Sequence, residues 1–221
     1  MVNFLQKFFK KQKKTESSPY NKVFGIGYPK TGSTSLAVAL RQLGLNTLHD
    51  ESCVFPKALM VGDILTCETS FDACVNINQW LFKKFDELYP NSKFILTTRN
   101  EESWWWSIKW WRDLGQIQAF DRYIINDVPY IIKSLPQLKS IEELFGYFAL
   151  FKCFGQNKEL YIESYKQHNQ NVLEYFKDKP NQLLVLPLES ENKNEILAEF
   201  LNKVPQTQYP HEKQTHNQYI N

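Results

Sequence analysis

The stretch Gly27-Tyr28-Pro29-Lys30-Thr31-Gly32-Ser33-Thr34 combines residue types and spacing that could do chemistry. A short apolar run, Val23 to Ile26, leads into it, and Leu36, Ala39, Leu40 and Leu43 follow at helical spacing. Where a strand turns tightly into a helix, backbone N–H groups converge and the helix dipole favours negative charge, so a phosphate is the expected ligand. The stretch fits the nucleoside-triphosphate pattern GxxxxGK[ST] at Gly27, Gly32 and Thr34, but Ser33 fills the lysine slot. Lys30, three positions earlier, projects from the loop itself, where it could reach an atom between the phosphate and a transferred group. The plainer alternative is a simple strand–turn–helix connection with Ser and Thr for capping, for which Pro29-Lys30 is poor filler.

The elements around this loop read as an alternation of strands and helices. Gly44 signals the end of the first helix, and Leu45 to His49 reads as a second, short strand. Ile64 to Cys67 is a weak third. Trp80 to Leu88 has helical periodicity and stops at Pro90. Phe94 to Thr98 (FILTT) is the best strand, and Asn100 caps a following helix with Glu101 and Glu102 in its first turn. Leu183 to Leu188 is a last buried strand, which Pro187 confines towards an edge or an end. Asn194 to Leu201 closes the chain's helices. This order implies an α/β, three-layer fold with a mostly parallel sheet, and residues 112–180, largely helical in pattern, are expected to cap the sheet's working edge. Residues 1–21 read as a separate basic segment and 22–221 as a single domain.

The loop resembles the 5′-phosphosulfate loop of the sulfotransferases that use 3′-phosphoadenosine 5′-phosphosulfate, which have a P-loop, nucleotide-kinase-like fold. That family's second signature, an arginine at a strand end followed eight residues later by a helical serine, is matched by Arg99 and Ser107 in RNEESWWWS. A strand end and a point two turns into the next helix can face one ligand, and a guanidinium fork with a hydroxyl suits a 3′-phosphate. YPNSKFILTTRNEESWWWS (89–107), YKQHNQNV (165–172), LLVLPLES and Tyr209-Pro210-His211 are similar to a bacterial-type branch of the family. In place of that branch's asparagine soon after Pro-His, Glu212 and Lys213 follow here.

The resemblance implies metal-independent, in-line transfer of a sulfuryl group to a hydroxyl or amine. The transferred group carries less charge than a phosphoryl group, so a lysine and oriented N–H groups can serve where phosphoryl transfer recruits Mg²⁺. Lys30 would stabilise the leaving oxygen. Pro29, Thr31, Gly32, Ser33, Thr34 and Ser35 would complete the 5′-phosphate cradle with Lys30, and Arg99 and Ser107 would hold the 3′-phosphate. The acceptor needs a general base. Asp72 is the best positional match to the family's base, with Glu68 and His49 as rivals; Asp72 could instead cap a helix or bind the acceptor. His168 and His211 read as structural contacts. Trp104, Trp105, Trp106, Trp110 and Trp111 read either as core or as a stacking wall.

Composition bounds the alternatives. The chain has 221 residues, 26 Lys+Arg against 24 Asp+Glu, 43% hydrophobic and 15% aromatic residues. It is therefore globular, and a net charge of +2 gives no general case for nucleic-acid binding. No apolar run reaches the roughly 18–20 residues that span a bilayer. The first 22 residues hold six lysines and one acid, interleaved with Phe4, Leu5, Phe8 and Phe9. They suit either a frayed terminus or peripheral contact with an anionic membrane. Cys53, Cys67, Cys74 and Cys153 form neither a metal nor a disulfide pattern and favour a reducing, cytoplasmic setting. The acceptor, a small molecule or carbohydrate, and the oligomeric state are left open. Two other readings stand beside the enzyme: a non-catalytic nucleotide-binding protein of the same fold, and a P-loop kinase or NTPase. The latter would need a lysine where Ser33 sits.

Overall fold

In a computed structural model of the chain, residues 21–49, 71–76, 82–113, 158–205 and 208–211 are described. Five strands, β1 (Val23–Gly25), β2 (Thr47–His49), β3 (Ala73–Val75), β4 (Lys93–Thr98) and β5 (Leu183–Pro187), form a sheet in the order β2-β3-β1-β4-β5. Every pairing is parallel. The helices are α1 (Ser33–Gln42), α2 (Phe82–Leu88), α3 (Glu101–Asp113), α4 (Lys158–Phe176) and α5 (Lys193–Phe200).

Period-two alternation along the strands divides the core into two layers. Val23, Val75, Ile95 and Leu186 point to one face, where Leu36 and Leu40 of α1 and Leu197 and Ala198 of α5 cover them. Phe24, Cys74, Phe94 and Leu96 point to the other, under Phe82 and Phe85 of α2 and Val172 and Phe176 of α4. The result is the three-layer α/β sandwich expected from the sequence. Gly44, at φ 84°, ends α1 as expected, its N–H donating to Arg41 O at 2.9 Å. β5 lies at a sheet edge, the position where Pro187 costs the fewest ladder bonds.

Two expectations need correction. The third strand is Ala73–Val75, which was not anticipated; the weak candidate Ile64 to Cys67 lies outside the described residues. A three-residue strand buried on both faces has too few positions to show a period. Within the stretch expected to cap the sheet, residues 114–157 lie outside the described residues. Residues 158–176 form α4, which lays Val172 and Phe176 on the sheet itself and so belongs to a layer of the sandwich. The basic segment 1–20 also lies outside the described residues.

Phe94 is fully buried between Phe24, at 5.4 Å between ring centroids, and Phe176, at 4.7 Å. Phe94→Ala is expected to destabilise the protein by about 3–5 kcal/mol in denaturant titrations, the range for truncating a large core aromatic. A loss below about 1 kcal/mol would contradict this placement.

Candidate active site

The parallel strands deliver their C-terminal ends to one edge. β1 runs out through Ile26 into the loop, and its neighbour β4 runs out into Arg99. The loop lies very close to β4. A Cβ on Gly27 would stand 2.0 Å from Thr97 Oγ1 and 2.4 Å from Thr97 O, so only glycine fits. Thr31 Oγ1 donates to Tyr28 O at 2.6 Å and shares a 2.7 Å hydrogen bond with Thr97 Oγ1. Gly32 takes the left-handed conformation at φ 98°, and a Cβ there would meet Leu188 Cδ1 at 2.9 Å. The first intrahelical bond of α1 is Leu36 N–H to Gly32 O, so the helical ladder uses none of the N–H groups of Ser33, Thr34 and Ser35. These N–H groups gather at the positive end of the helix.

A second layer of contacts ties the loop to the Arg99 turn. Asn100 Oδ1 accepts the N–H groups of Glu102 and Ser103, starting α3 as the sequence predicts. One turn on, the fully buried Trp104 donates its indole N–H to Pro29 O at 2.9 Å. Tyr165 of α4 stacks on Trp104, with centroids 4.5 Å apart and planes 14° apart. The Tyr165 hydroxyl donates to Arg99 O at 3.0 Å and accepts from Arg99 N–H at 2.9 Å. Arg99 Nη1 in turn donates to Lys30 O at 3.3 Å. Burial pulls the Arg99 guanidinium below its ordinary pKa, and Glu189, then Tyr165, oppose that shift. Glu189 accepts the Asn100 N–H at 3.0 Å.

His168 closes the base of the loop. Its Nε2–H donates to Ile26 O at 2.8 Å, and its ring stacks on Tyr28 at 4.3 Å. Burial, partly opposed by the Ile26 carbonyl, lowers its pKa to about 4, so the imidazole is neutral at physiological pH. This matches the structural role expected for it. The same burial raises the Tyr28 phenol to about 12, with the Ser164 hydroxyl opposing.

The expected site residues divide clearly. Lys30, Gly32, Ser33, Thr34 and Arg99 meet at the edge, partly exposed. Pro29, Thr31 and Ser35 are buried; the Pro29 carbonyl and the Thr31 hydroxyl are committed to holding the loop. Ser107 is also buried, at 1% exposure, on the face of α3 that carries Trp104. Asp72 is not brought here. It precedes β3, whose first residue pairs with Val23, so it sits at the opposite edge of the sheet from the loop. Its carboxylate there accepts the Asn46 N–H at 2.8 Å. Glu68 lies outside the described residues. His49, in contrast, ends β2 at the working edge, with Nε2 3.4 Å from Ser33 Oγ. Sequence reasoning missed Tyr165: its stretch was noted, but nothing local signals that its hydroxyl spans the Arg99 turn.

The tryptophans also separate. Trp104 and Trp105 are core, with Trp105 against Tyr161 at 5.4 Å. Trp106 is 43% exposed. The Trp110 ring lies 5.5 Å from Lys30 Nζ. The side chain of Trp111 lies outside the described residues. Beside the Arg99 turn, a cleft of about 510 Å³ is lined by Leu188, Glu189, Lys193, Asn194, Tyr209 and His211, among others. Leu188 and Glu189 border both this cleft and the loop–Arg99 site.

His168 generates a pH prediction. The unfolded chain takes up its proton near pH 6.5, the folded protein only near pH 4. Stability should therefore be unaffected by His168 above that window and fall as pH drops through it, by up to about 3 kcal/mol. His168→Gln keeps an N–H donor that does not titrate. Denaturant titrations at stepped pH should show a shallower acid slope for this variant, and an unchanged slope would contradict the assignment.

No curated protein matches this chain. A family model described as a sulfotransferase domain matches residues 22–218, which include the whole sheet, the loop, the Arg99 turn and the cleft. Nearly the full length is covered, and the chain belongs to the sulfotransferase-domain family.

Proposed function

We propose that this protein transfers a sulfuryl group from 3′-phosphoadenosine 5′-phosphosulfate to a hydroxyl or amine of a small-molecule or carbohydrate acceptor. The observation that carries the reading is the junction of the loop with Arg99: a helix start free of side-chain carboxylates in its first turn, Lys30, and a guanidinium hydrogen-bonded to the Lys30 carbonyl. Two anions carried on one ribose suit such an arrangement, and the adjoining cleft has room for the rest of the nucleoside. The donor supplies an activated sulfuryl group on a phosphate oxygen. The N–H groups of Gly32 to Ser35 hold the 5′-phosphate. Lys30 neutralises charge that develops on the bridging oxygen as the bond to sulfur breaks. Arg99 holds the 3′-phosphate, with Ser107 as a second donor at the floor of the site.

His49 becomes the candidate base in place of Asp72, because it reaches the loop at Ser33. A neutral imidazole there would take the proton of the acceptor as its oxygen or nitrogen attacks sulfur. Ser33 in the lysine slot of the triphosphate pattern supports this reading over a kinase. A cytoplasmic location and metal independence belong to the same proposal.

Lys30→Ala is expected to lower the rate of sulfuryl transfer by about 10²–10³-fold, the scale for removing one preorganised charge-stabilising donor. Calorimetric affinity for adenosine 3′,5′-bisphosphate should stay nearly unchanged. A near-normal rate would sink the catalytic assignment. Bisphosphate binding without transfer by the wild-type protein, across a broad set of hydroxyl and amine acceptors, would favour the non-catalytic alternative.

A further inference from the structure

Trp110 stands one helical turn beyond Ser107, and the sulfuryl-transfer reading gives it no task. Its ring lies under the Lys30 ammonium, with Nζ 5.5 Å from the centroid, inside the range of cation–π attraction. Trp110 is half-buried, and desolvation strengthens such contacts. The segment from Arg99 through α3 therefore grips the lysine at three levels. Arg99 Nη1 holds its carbonyl at 3.3 Å, and Trp104 holds the preceding carbonyl at 2.9 Å. Trp110 takes the charged end. The backbone grip matters because Lys30 is a non-glycine residue at φ 69°, a left-handed conformation that the surroundings must maintain. Fixing the backbone alone leaves a four-carbon stem free to turn. An aromatic face under the ammonium restricts that turning.

We propose that Trp110 is a positioning residue: its ring holds the Lys30 ammonium at the mouth of the phosphate loop, so that the charge is already in place when the donor binds. The placement itself is independent of the reaction, whereas its effect on rate rests on the sulfuryl-transfer reading. An indole orients an ammonium without itself supplying an anion that would compete with the developing oxyanion.

Reductive ¹³C-methylation keeps lysines cationic, and a ring face beneath a methylated ammonium moves its proton resonance upfield. The Lys30 signal is assigned by its loss in Lys30→Arg. In the ligand-free wild-type protein it should lie upfield, return to the position of exposed lysines in Trp110→Leu, and lie between the two in Trp110→Phe. Trp106→Leu serves as a control, because Trp106 is 43% exposed and its nearby cation is Lys109, at 5.7 Å; it should leave the Lys30 signal unmoved. In parallel, Trp110→Leu should lower kcat by about 2- to 30-fold with bisphosphate affinity unchanged, and Trp110→Phe should recover part of the loss. A Lys30 signal that is not upfield, or that Trp110→Leu does not move, overturns the placement. A shifted signal with kcat unaltered overturns the positioning role. If the resonances behave as expected but the wild-type protein does not turn over the phosphosulfate, the placement stands and the sulfuryl-transfer reading fails.

Discussion

The stacked pair of Trp104 and Tyr165 is the contact on which the rest of the site depends. Two segments that carry positive charge, the Lys30 loop and the Arg99 turn, must lie side by side, and the direct link between them, Arg99 Nη1 to Lys30 O at 3.3 Å, is long. The stacked pair reinforces that link with neutral groups. The Trp104 indole fixes the loop through Pro29 O, and the Tyr165 hydroxyl fixes both backbone groups of Arg99. Because the two rings stack at 4.5 Å in a buried cluster, moving either segment would break a hydrogen bond in a low-dielectric setting. Such bonds are costly to leave unmade, on the order of 1–3 kcal/mol each. The arrangement resembles a preorganised anion site in the sense that its charges are set before any ligand arrives.

The loop is anchored to the sheet by equally specific means. Gly27 lets backbone approach Thr97 to a distance that a Cβ forbids, and the Thr31–Thr97 hydroxyl pair closes the gap. His168 contributes from the far side as a neutral donor. Its depressed pKa is the electrostatic mark of a structural imidazole. The two sides of the loop thus rest on β4 and on α4, and both supports trace back to residues far away in the sequence. Substitutions in α4 should therefore reach the loop through its backbone position.

Much of this was legible in the chain. The glycine-bounded loop after β1, the strand Phe94 to Thr98, the Asn100 cap and the apolar face of α1 are local signals, and each element forms where those signals stand. β3 was not legible, because three residues covered on both faces carry no period. The choice of Asp72 as candidate base rested on its positional match to the family, and β3 shows that Asp72 precedes a strand and sits at the opposite edge. His49 was visible as a rival but could not be preferred until its strand had a neighbour. Helical phase puts Trp104 and Ser107 on one face of α3, yet phase alone does not say that Trp105 meets Tyr161 or that Trp110 meets a cation. Partners 66 and 142 residues apart, as with Arg99–Tyr165 and Ile26–His168, are set by tertiary packing.

On the proposed function, the loop and the Arg99 turn form one site for two phosphates of a single nucleotide. Calorimetric titration of the wild-type protein and Arg99→Ala with adenosine 3′,5′-bisphosphate, adenosine 5′-monophosphate and ATP·Mg²⁺ tests it most directly. The wild type should prefer the bisphosphate over both others, and Arg99→Ala should lose this preference while still binding the 5′-phosphate weakly. Equal affinity for the bisphosphate and the monophosphate, or a preference for ATP·Mg²⁺, would contradict it.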